Sequence, residues 1–261
     1  MSRFINQIFN KKEQNRRVGG INAQFSNLEK TPDMVGTSSV TRYKTATCQS
    51  TGRERHNNED TLFALTGVLG VLDSAVSMGL FLVADGMGGH QSGEVASRLA
   101  AQAASQYLMN ALLSSDLDEN EEFCDVDCQK LVKEAVEEAQ NHILRHVPGG
   151  GTTLTLVLAI DNDLFSAHVG DSRIYLLGTD GKMKQVTKDH SLVKRLVDLG
   201  EISEREAQVH PQRNVLYRAL GQNDPFEPDI DQFVLEKGEK ILICSDGLWS
   251  VLSMDQMQEM I

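Results

Sequence analysis

Several features that mark particular classes of protein are scarce in this sequence. It has one Trp and 5% aromatic residues, which together with 40% apolar residues suits an ordinary globular protein. Lys and Arg number 25 against 37 Asp and Glu, so the formal net charge is −12. This acidic balance argues against nucleic acid as a main partner, because phosphate binding requires a basic surface. No stretch approaches the roughly 18 apolar residues of a membrane span, and the start lacks the apolar core of a secretory signal.

Cysteine is scarce as well. The sequence has four, Cys48, Cys124, Cys128 and Cys244, and no second Cys or His pair lies near Cys124 and Cys128 at the spacing of a zinc site. We therefore expect four free thiols, as in the reducing environment of the cytoplasm.

The first 41 residues differ in composition from the rest. They are polar, basic near the start, and then contain the loop-like sequences GG, TPD and GTSS. We expect residues 1–41 to be a disordered leader. A short amphipathic helix that contacts a membrane or a partner is the alternative. Residues 42–261 have the pattern of a globular domain.

The apolar pattern beyond the leader predicts grouped helices and hairpin-linked strands. Strands are predicted at 41–48, 79–84, 152–160, 164–170, 173–177, 182–186, 230–235 and 240–245. Helical patterns cover 92–113, 129–146, 191–220 and the end of the chain, with a capping box at Ser203 and Glu206. Hairpins imply antiparallel sheets, and grouped helices imply the α+β class.

Three apolar segments end in an aspartate. Asp85, Asp171 and Asp246 follow the runs FLVA, AHVG and ILICS. Strand-end carboxylates of one sheet system can converge, and a hard divalent cation then offsets their repulsion and their burial. All-oxygen ligands without clustered His or Cys favour Mg²⁺ or Mn²⁺ over zinc. The alternative is that each Asp is an ordinary turn or cap residue.

A fourth acidic element follows an arginine. Glu59 and Asp60 lie in GRERHNNED, where Arg55 precedes Asp60 by five residues. The planar guanidinium of an Arg beside a metal site matches two phosphate oxygens. Two metal ions with such an Arg make a phosphoryl-transfer site. The alternative is a solvated Arg among surface charges.

Seven motifs occur in an order that resembles one known family. They are TGRERHNNED, VADGMGGHQSGEVAS, GGGTTLT, HVGDSRIY, KDHS, HPQRNVLYRALG and CSDGLW. Across residues 42–261 the sequence resembles the type 2C protein phosphatases, the metal-dependent serine/threonine phosphatases, and its motifs are similar to those of the bacterial branch. The resemblance implies a four-layer α/β/β/α sandwich of two antiparallel sheets with helices outside. It also implies two catalytic Mg²⁺ or Mn²⁺ ions, often with a third at the rim.

The resemblance assigns roles to individual residues. The implied metal ligands are carboxylates and one backbone oxygen: Asp85 bridging both ions, the Gly86 carbonyl oxygen, Asp246, the pair Glu59 and Asp60, and Asp171 at the third ion. Arg55 matches the phosphate-binding arginine, and residues 191–220 resemble the flap beside the site.

The implied reaction is hydrolysis of phosphoserine or phosphothreonine on proteins, by direct attack of a metal-bridging water on phosphorus. The enzyme would be a cytoplasmic monomer whose partners are phosphorylated proteins. It would oppose a serine/threonine kinase in signalling.

The sequence departs from the family pattern at three places. Met87 stands where some relatives have a His, and His90 is a weak substitute as the proton donor. Ser250 stands where many relatives have an Asp that helps hold the third metal. The pattern also continues beyond CSDGLW to a strand bearing Asp-Asn, so we expect the C-terminal strands to be missing here. Three explanations stay open: a fragment of an active phosphatase, a weak or inactive module that binds phosphoproteins, or a partner that supplies the strand.

Overall fold

Two antiparallel sheets and the helices that cover them make up the described part of the chain. The computed structural model describes residues 43–52, 57–69, 75–88, 91–114, 127–222 and 226–261. The strands are β1 Asp60–Leu69, β2 Val76–Met87, β3 Gly151–Thr152, β4 Leu154–Ile160, β5 Asp163–Val169, β6 Arg173–Leu177, β7 Met183–Gln185, β8 Asp229–Val234 and β9 Lys240–Cys244. The helices are α1 Gln91–Ser114, α2 Cys128–His146, α3 Leu192–Asp198, α4 Glu204–Val209, α5 Asp246–Trp249 and α6 Met254–Met260.

The larger sheet is built around the apolar strands β2 and β4. Its strand order is β1–β2–β4–β5–β8, and β3 pairs with the end of β2. A tight turn joins β4 to β5, because Ile160 pairs with Asp163. In this turn Asp161 has a φ of 49°, and its carboxylate accepts a hydrogen bond from the Ser77 N–H at 2.8 Å. The predicted hairpin between 152 and 170 is confirmed.

The side chains of β4 show why this sheet is covered on both faces. Leu154, Leu156 and Leu158 belong to the core cluster that includes α1 and α2. Val157 and Ala159 belong to a different cluster, which includes residues of the smaller sheet. Successive side chains of a strand point to opposite faces, so a strand buried on both faces is a continuous apolar run.

The smaller sheet has the order β7–β6–β9 and alternates in the same way. Ile174 and Ile243 pack toward the larger sheet, whereas Tyr175 and Cys244 pack with Met257 of α6 on the outer face. The layers therefore run helix, sheet, sheet, helix. This arrangement confirms the expected four-layer α+β sandwich.

Local capping sets the ends of the helices. At the start of α2, the Asp127 carboxylate accepts a hydrogen bond from the Lys130 N–H at 3.0 Å. The predicted capping box of Ser203 and Glu206 begins α4, and Ser253 begins α6 in the same way. Such caps satisfy backbone donors that have no partner within the helix.

Two sequence expectations are wrong. Residues 43–48, the described part of the predicted strand 41–48, form no strand, because alternation supplies no pairing partner by itself. The segment 191–220 is helical only in α3 and α4. Gly200, with a φ of 74°, follows α3, and Pro211 follows α4, which prevents a continuous helix. Four earlier expectations lie outside the described residues: the leader 1–41, Arg55, His90 and Cys124.

Two expected absences concern the membrane and the thiols. Within the described ranges, no helix combines the length and the apolar character needed to cross a bilayer. The thiols of Cys48, Cys128 and Cys244 are free, and the latter two are buried.

Candidate active site

Asp85 lies near the end of β2, where three strands meet. It pairs directly with Asp60 at the start of β1, while the next residue, Gly86, pairs with Thr152 of β3. Antiparallel pairing places the side chains of opposed residues on the same face. The register alone therefore brings two carboxylates together, which costs energy unless a cation or a proton intervenes.

Gly86 is required by its surroundings. A Cβ atom at this position would lie 2.3 Å from the Gly93 carbonyl oxygen and 2.7 Å from that of Glu59. The Gly86 N–H donates to the Glu59 carbonyl at 3.2 Å, and the Ser97 hydroxyl donates to the same oxygen at 2.6 Å. The start of α1 can thus approach the end of β2 backbone to backbone.

Two buried threonines hold the backbone of Asp85. The Asp85 N–H donates to Thr153 Oγ1 at 2.9 Å, and the Asp85 carbonyl accepts from the Thr152 hydroxyl at 2.8 Å and from the Thr153 N–H at 2.9 Å. Thr153 Oγ1 also contacts Ser172 Oγ at 2.9 Å. Since Ser172 follows Asp171, one hydrogen-bond relay links the backbones of two candidate ligands.

Helix α5 brings carboxylates from both sheets together. Asp246 begins this helix directly after β9. Ser245, just before it, donates its hydroxyl to Asp60 Oδ2 at 2.7 Å. Trp249, at the other end, donates its indole N–H to the Asp171 carbonyl at 2.9 Å. The segment therefore contacts the other carboxylate-bearing segments on both of its sides.

The resulting electrostatics are those of an unneutralised acidic site. Burial, and then the charges of Asp60, Asp246 and Asp171, raise the pKa of Asp85 to about 9, and a hydrogen bond with the Asp246 carboxyl contributes. Burial, followed by the charges of Asp246 and Asp189, raises the pKa of Asp171 to about 7. Each buried carboxylate resists ionisation because the others surround it with negative charge.

These four aspartates, Asp60, Asp85, Asp171 and Asp246, form what we call the carboxylate cluster. Within the described part of the chain, no three His, Cys, Asp or Glu side chains surround one ion position in the manner of a closed metal site. The cluster nevertheless fits hard divalent ions. A protein-bound Mg²⁺ ion keeps several water ligands and needs only one or two carboxylates. A site for two such ions therefore does not require three carboxylates around one position. The pairing of Asp60 with Asp85 in the sheet register, which places two carboxylates on one face, is the observation that calls for cations.

Comparison with known proteins agrees with this geometry. Residues 53–260 match the family described as protein phosphatase 2C. The chain belongs to the protein phosphatase 2C family. It is 37% identical to the serine/threonine phosphatase stp of Listeria innocua over 210 residues. The matched region covers 80% of this chain and 79% of that protein. It is 32% identical over 213 residues to the protein phosphatase PhpP of Streptococcus pneumoniae, with 80% of each chain covered.

Solved structures of 2C-family proteins have the same fold. The serine/threonine phosphatase PstP/Ppp of Mycobacterium tuberculosis is 36% identical, with a TM-score of 0.64 and 80% of each chain covered. The catalytic domain of PstP in complex with two manganese ions is 34% identical, with a TM-score of 0.63, and covers 80% of this chain and 79% of that one.

The structure brings most of the candidate ligands of this 2C-family chain to one place. The four aspartates interact with one another, and Gly86 adjoins them. The Glu59 backbone lies beside Gly86. Ser250 is an exposed residue that ends α5. Arg55, the expected phosphate ligand, lies outside the described residues.

A second polar group, with two buried histidines, involves β5 and β8 of the larger sheet, and we call it the histidine cluster: His168, His190, Arg218 and Asp229. His190 accepts from the Gly170 N–H through Nδ1 at 3.1 Å and therefore donates from Nε2 to Asp229 at 3.1 Å. Arg218 donates to the other Asp229 oxygen at 2.7 Å. The cluster ties the segment 191–220 to the larger sheet.

Sequence reasoning missed the residues that hold the site, Thr152, Thr153, Ser245 and Trp249. The pair of threonines inside an otherwise apolar run was an available signal, because a buried hydroxyl needs a hydrogen-bond partner. For Ser245 and Trp249 the sequence carries no such signal, since their partners lie far away along the chain.

Proposed function

We propose that this protein hydrolyses phosphoserine and phosphothreonine on other proteins, in a reaction that depends on Mn²⁺ or Mg²⁺. The observation that carries the proposal is the carboxylate cluster. Its four segments are brought together by the pairing of Asp85 with Asp60 and by the hydrogen bonds of Ser245 to Asp60 and of Trp249 to Asp171. Membership of the 2C family supports the same chemistry, because the similar proteins from Listeria and Streptococcus are named phosphatases.

The cluster would hold two divalent ions. Asp85 would be one of their ligands, since it interacts with Asp60 at the start of β1 and with Asp246 at the start of α5, and the Gly86 carbonyl would add a backbone oxygen. Glu59 would act directly or through water. Asp171 would hold a weaker third ion, because Ser250 offers no second carboxylate there.

When bound, the ions supply Lewis acidity that acidifies a water ligand and offsets phosphate charge. The chain's own residues set the geometry in which this happens. Thr152 and Thr153 keep the Asp85 backbone in place, and Gly86 allows α1 to close the floor of the site. Arg55, which precedes Asp60 by five residues, would bind two oxygens of the phosphate.

Residues 42–261 would form the phosphatase domain, with 191–220 as its flap. This segment presents Leu199, Val209 and Val215 to solvent, and Val209 is 79% exposed. Exposed apolar side chains beside a site suit contact with a protein surface. We therefore infer phosphorylated proteins as substrates. As the family resemblance implies, the opposing enzyme would be a serine/threonine kinase, and the phosphatase would act in the cytoplasm as a monomer.

The test is hydrolysis of a phosphothreonine peptide and of p-nitrophenyl phosphate with Mn²⁺ present. We expect turnover that EDTA abolishes and Mn²⁺ restores. Asp85→Asn should lower kcat/KM by about 1000-fold, since metal-based charge stabilisation contributes about 4 kcal/mol. Asp231→Asn is the matched control, because Asp231 is exposed on β8 of the same sheet.

Two outcomes would contradict the proposal. Full activity in EDTA would exclude the metal-dependent reaction. Binding of Mn²⁺ and of phosphopeptide without turnover, measured by calorimetry, would instead favour a module that binds phosphoproteins.

A further inference from the structure

The only Trp of the sequence stands at a junction within the site. Helix α5 has four residues, and it begins with Asp246 and ends with Trp249. The Trp249 indole N–H donates to the Asp171 carbonyl oxygen at 2.9 Å. One short rigid element thus carries one carboxylate and holds the backbone of another.

The indole ring is itself held from one face. The Arg173 guanidinium lies 3.6 Å from the ring centroid, a distance that suits a cation–π interaction. Arg173 donates from Nε and Nη2 to the two oxygens of Asp189, at 2.9 and 2.6 Å. Its Nη1 donates to the Tyr175 hydroxyl at 3.0 Å. A guanidinium bound on three sides has a fixed plane, so the ring that it covers is also fixed.

Asp171 needs such a restraint. It lies between β5 and β6 and is followed by Ser172, so no ladder pairing holds it, and the preceding Gly170 has a φ of 113°. Asp171 and Asp246 carry like charges and interact, so repulsion would drive them apart. The Trp249 hydrogen bond opposes this separation without adding charge to the site.

We propose that Trp249 is a positioning residue that sets the spacing between Asp171 and Asp246, with Arg173 and Asp189 holding its ring. The inference rests on the proposed function, because the spacing matters only if these carboxylates share divalent ions. Trp249 contacts neither substrate nor metal in this role. Its effect passes through the Asp171 backbone.

The first test is metal affinity, measured by calorimetry with Mg²⁺ alone. Trp249→Phe keeps an aromatic ring under Arg173 but removes the N–H donor. At the Mg²⁺ site of lowest affinity, we expect the dissociation constant of this variant to rise by about 10-fold, as for other residues that orient metal ligands. KM for p-nitrophenyl phosphate should change less than the Mn²⁺ concentration that gives half-maximal activity.

Tyr107→Phe is the matched control. It also removes one aromatic hydrogen-bond donor, here to Glu134 Oε2 at 2.7 Å, but Tyr107 lies in the helical layer. Its Mg²⁺ affinity should equal that of the wild type. If Trp249→Phe also binds Mg²⁺ with wild-type affinity while the wild type hydrolyses phosphate, the inference is wrong and the proposed function stands. If the wild type binds no divalent ion, the proposed function fails and the inference fails with it.

The single Trp allows a second measurement that does not depend on the folding of a variant. The protein should show one indole N–H signal in a ¹H–¹⁵N spectrum, protected from hydrogen exchange and shifted by Mg²⁺. Arg173→Gln should speed its exchange, whereas Arg195→Gln, on α3, should not. Rapid exchange in the wild type without a response to Mg²⁺ would overturn the inference.

Discussion

The carboxylate cluster and the histidine cluster are both polar and at least partly buried, but they differ in how their charges are compensated. In the histidine cluster His190 donates to one Asp229 oxygen and Arg218 donates to the other, so a cation lies beside the carboxylate. In the carboxylate cluster like charges surround Asp85 and raise its pKa to about 9. A buried network whose polar groups are all hydrogen-bonded stabilises a fold. A group of like charges needs a ligand of opposite charge. The contrast separates a structural group from a binding site without reference to any relative.

The pKa values support the same distinction. Burial, and then the neighbouring His190, lower the pKa of His168 to about 3, so this ring is neutral near pH 7. Although burial raises the pKa of Asp229, the hydrogen bonds and charges of His190 and Arg218 lower it overall. The protein supplies a counter-charge in one cluster and leaves that task to cations in the other.

The largest expected effect comes from removing one charge from the carboxylate cluster. At 100 times its dissociation constant, Mg²⁺ should stabilise the wild type by about 2.7 kcal/mol. Asp85→Asn should be more stable than the wild type in EDTA, because folding no longer has to protonate a buried carboxyl group whose pKa is raised. It should gain almost nothing from Mg²⁺. Thermal unfolding with and without Mg²⁺ measures both effects. A metal-free variant less stable than the wild type would contradict the comparison.

A smaller effect should appear in the acid dependence of stability. The folded pKa of His168 is below its ordinary value of 6.5, so between about pH 6.5 and pH 3 the unfolded chain binds more protons. Stability therefore falls as pH decreases, by up to about 1.4 kcal/mol per pH unit for one group. In EDTA, His168→Gln should show a shallower decrease in urea-unfolding free energy. His142→Gln, at an exposed position of α2, should keep the wild-type slope.

The smallest effect should come from breaking the ion pair of the histidine cluster. Asp229→Asn should lower the free energy of unfolding by about 1 kcal/mol, since its side chain is partly exposed and solvent weakens the loss. The stabilisation by Mg²⁺ should stay as large as in the wild type. Asp231→Asn, two residues further along β8, should change stability by less than about 0.5 kcal/mol. Loss of the Mg²⁺ response in Asp229→Asn would mean that the two clusters are not independent.

Much of the fold could be predicted from local patterns. The helices predicted at 92–113 and 129–146 correspond to α1 and α2 within two residues at each end, because long amphipathic patterns are strong signals. Strand β1 was not predicted, since its residues are only partly buried and it is a strand because β2 pairs with it. The segment 41–48 shows the reverse error, alternation without a partner.

The sequence could propose candidate ligands, but it could not show how they are brought together. A carboxylate after an apolar run marks Asp85, Asp171 and Asp246, because an acid at a strand end is conspicuous. The pairing of Asp85 with Asp60 depends on a sheet register that no local pattern specifies. The hydrogen bond from Ser245 to Asp60 joins residues that are 185 positions apart.

The sequence by itself determined which groups are available as candidates: carboxylate oxygens at the ends of apolar runs, and an arginine before an acidic pair. Only the tertiary structure decided which charges meet. Charge repulsion and hydrogen bonding act over a few ångströms, and proximity between distant segments is set by sheet register and by close backbone approaches such as Gly86 to Gly93. For that reason the acids could be proposed from the chain, whereas the serine and the tryptophan that contact their segments became evident only in the fold.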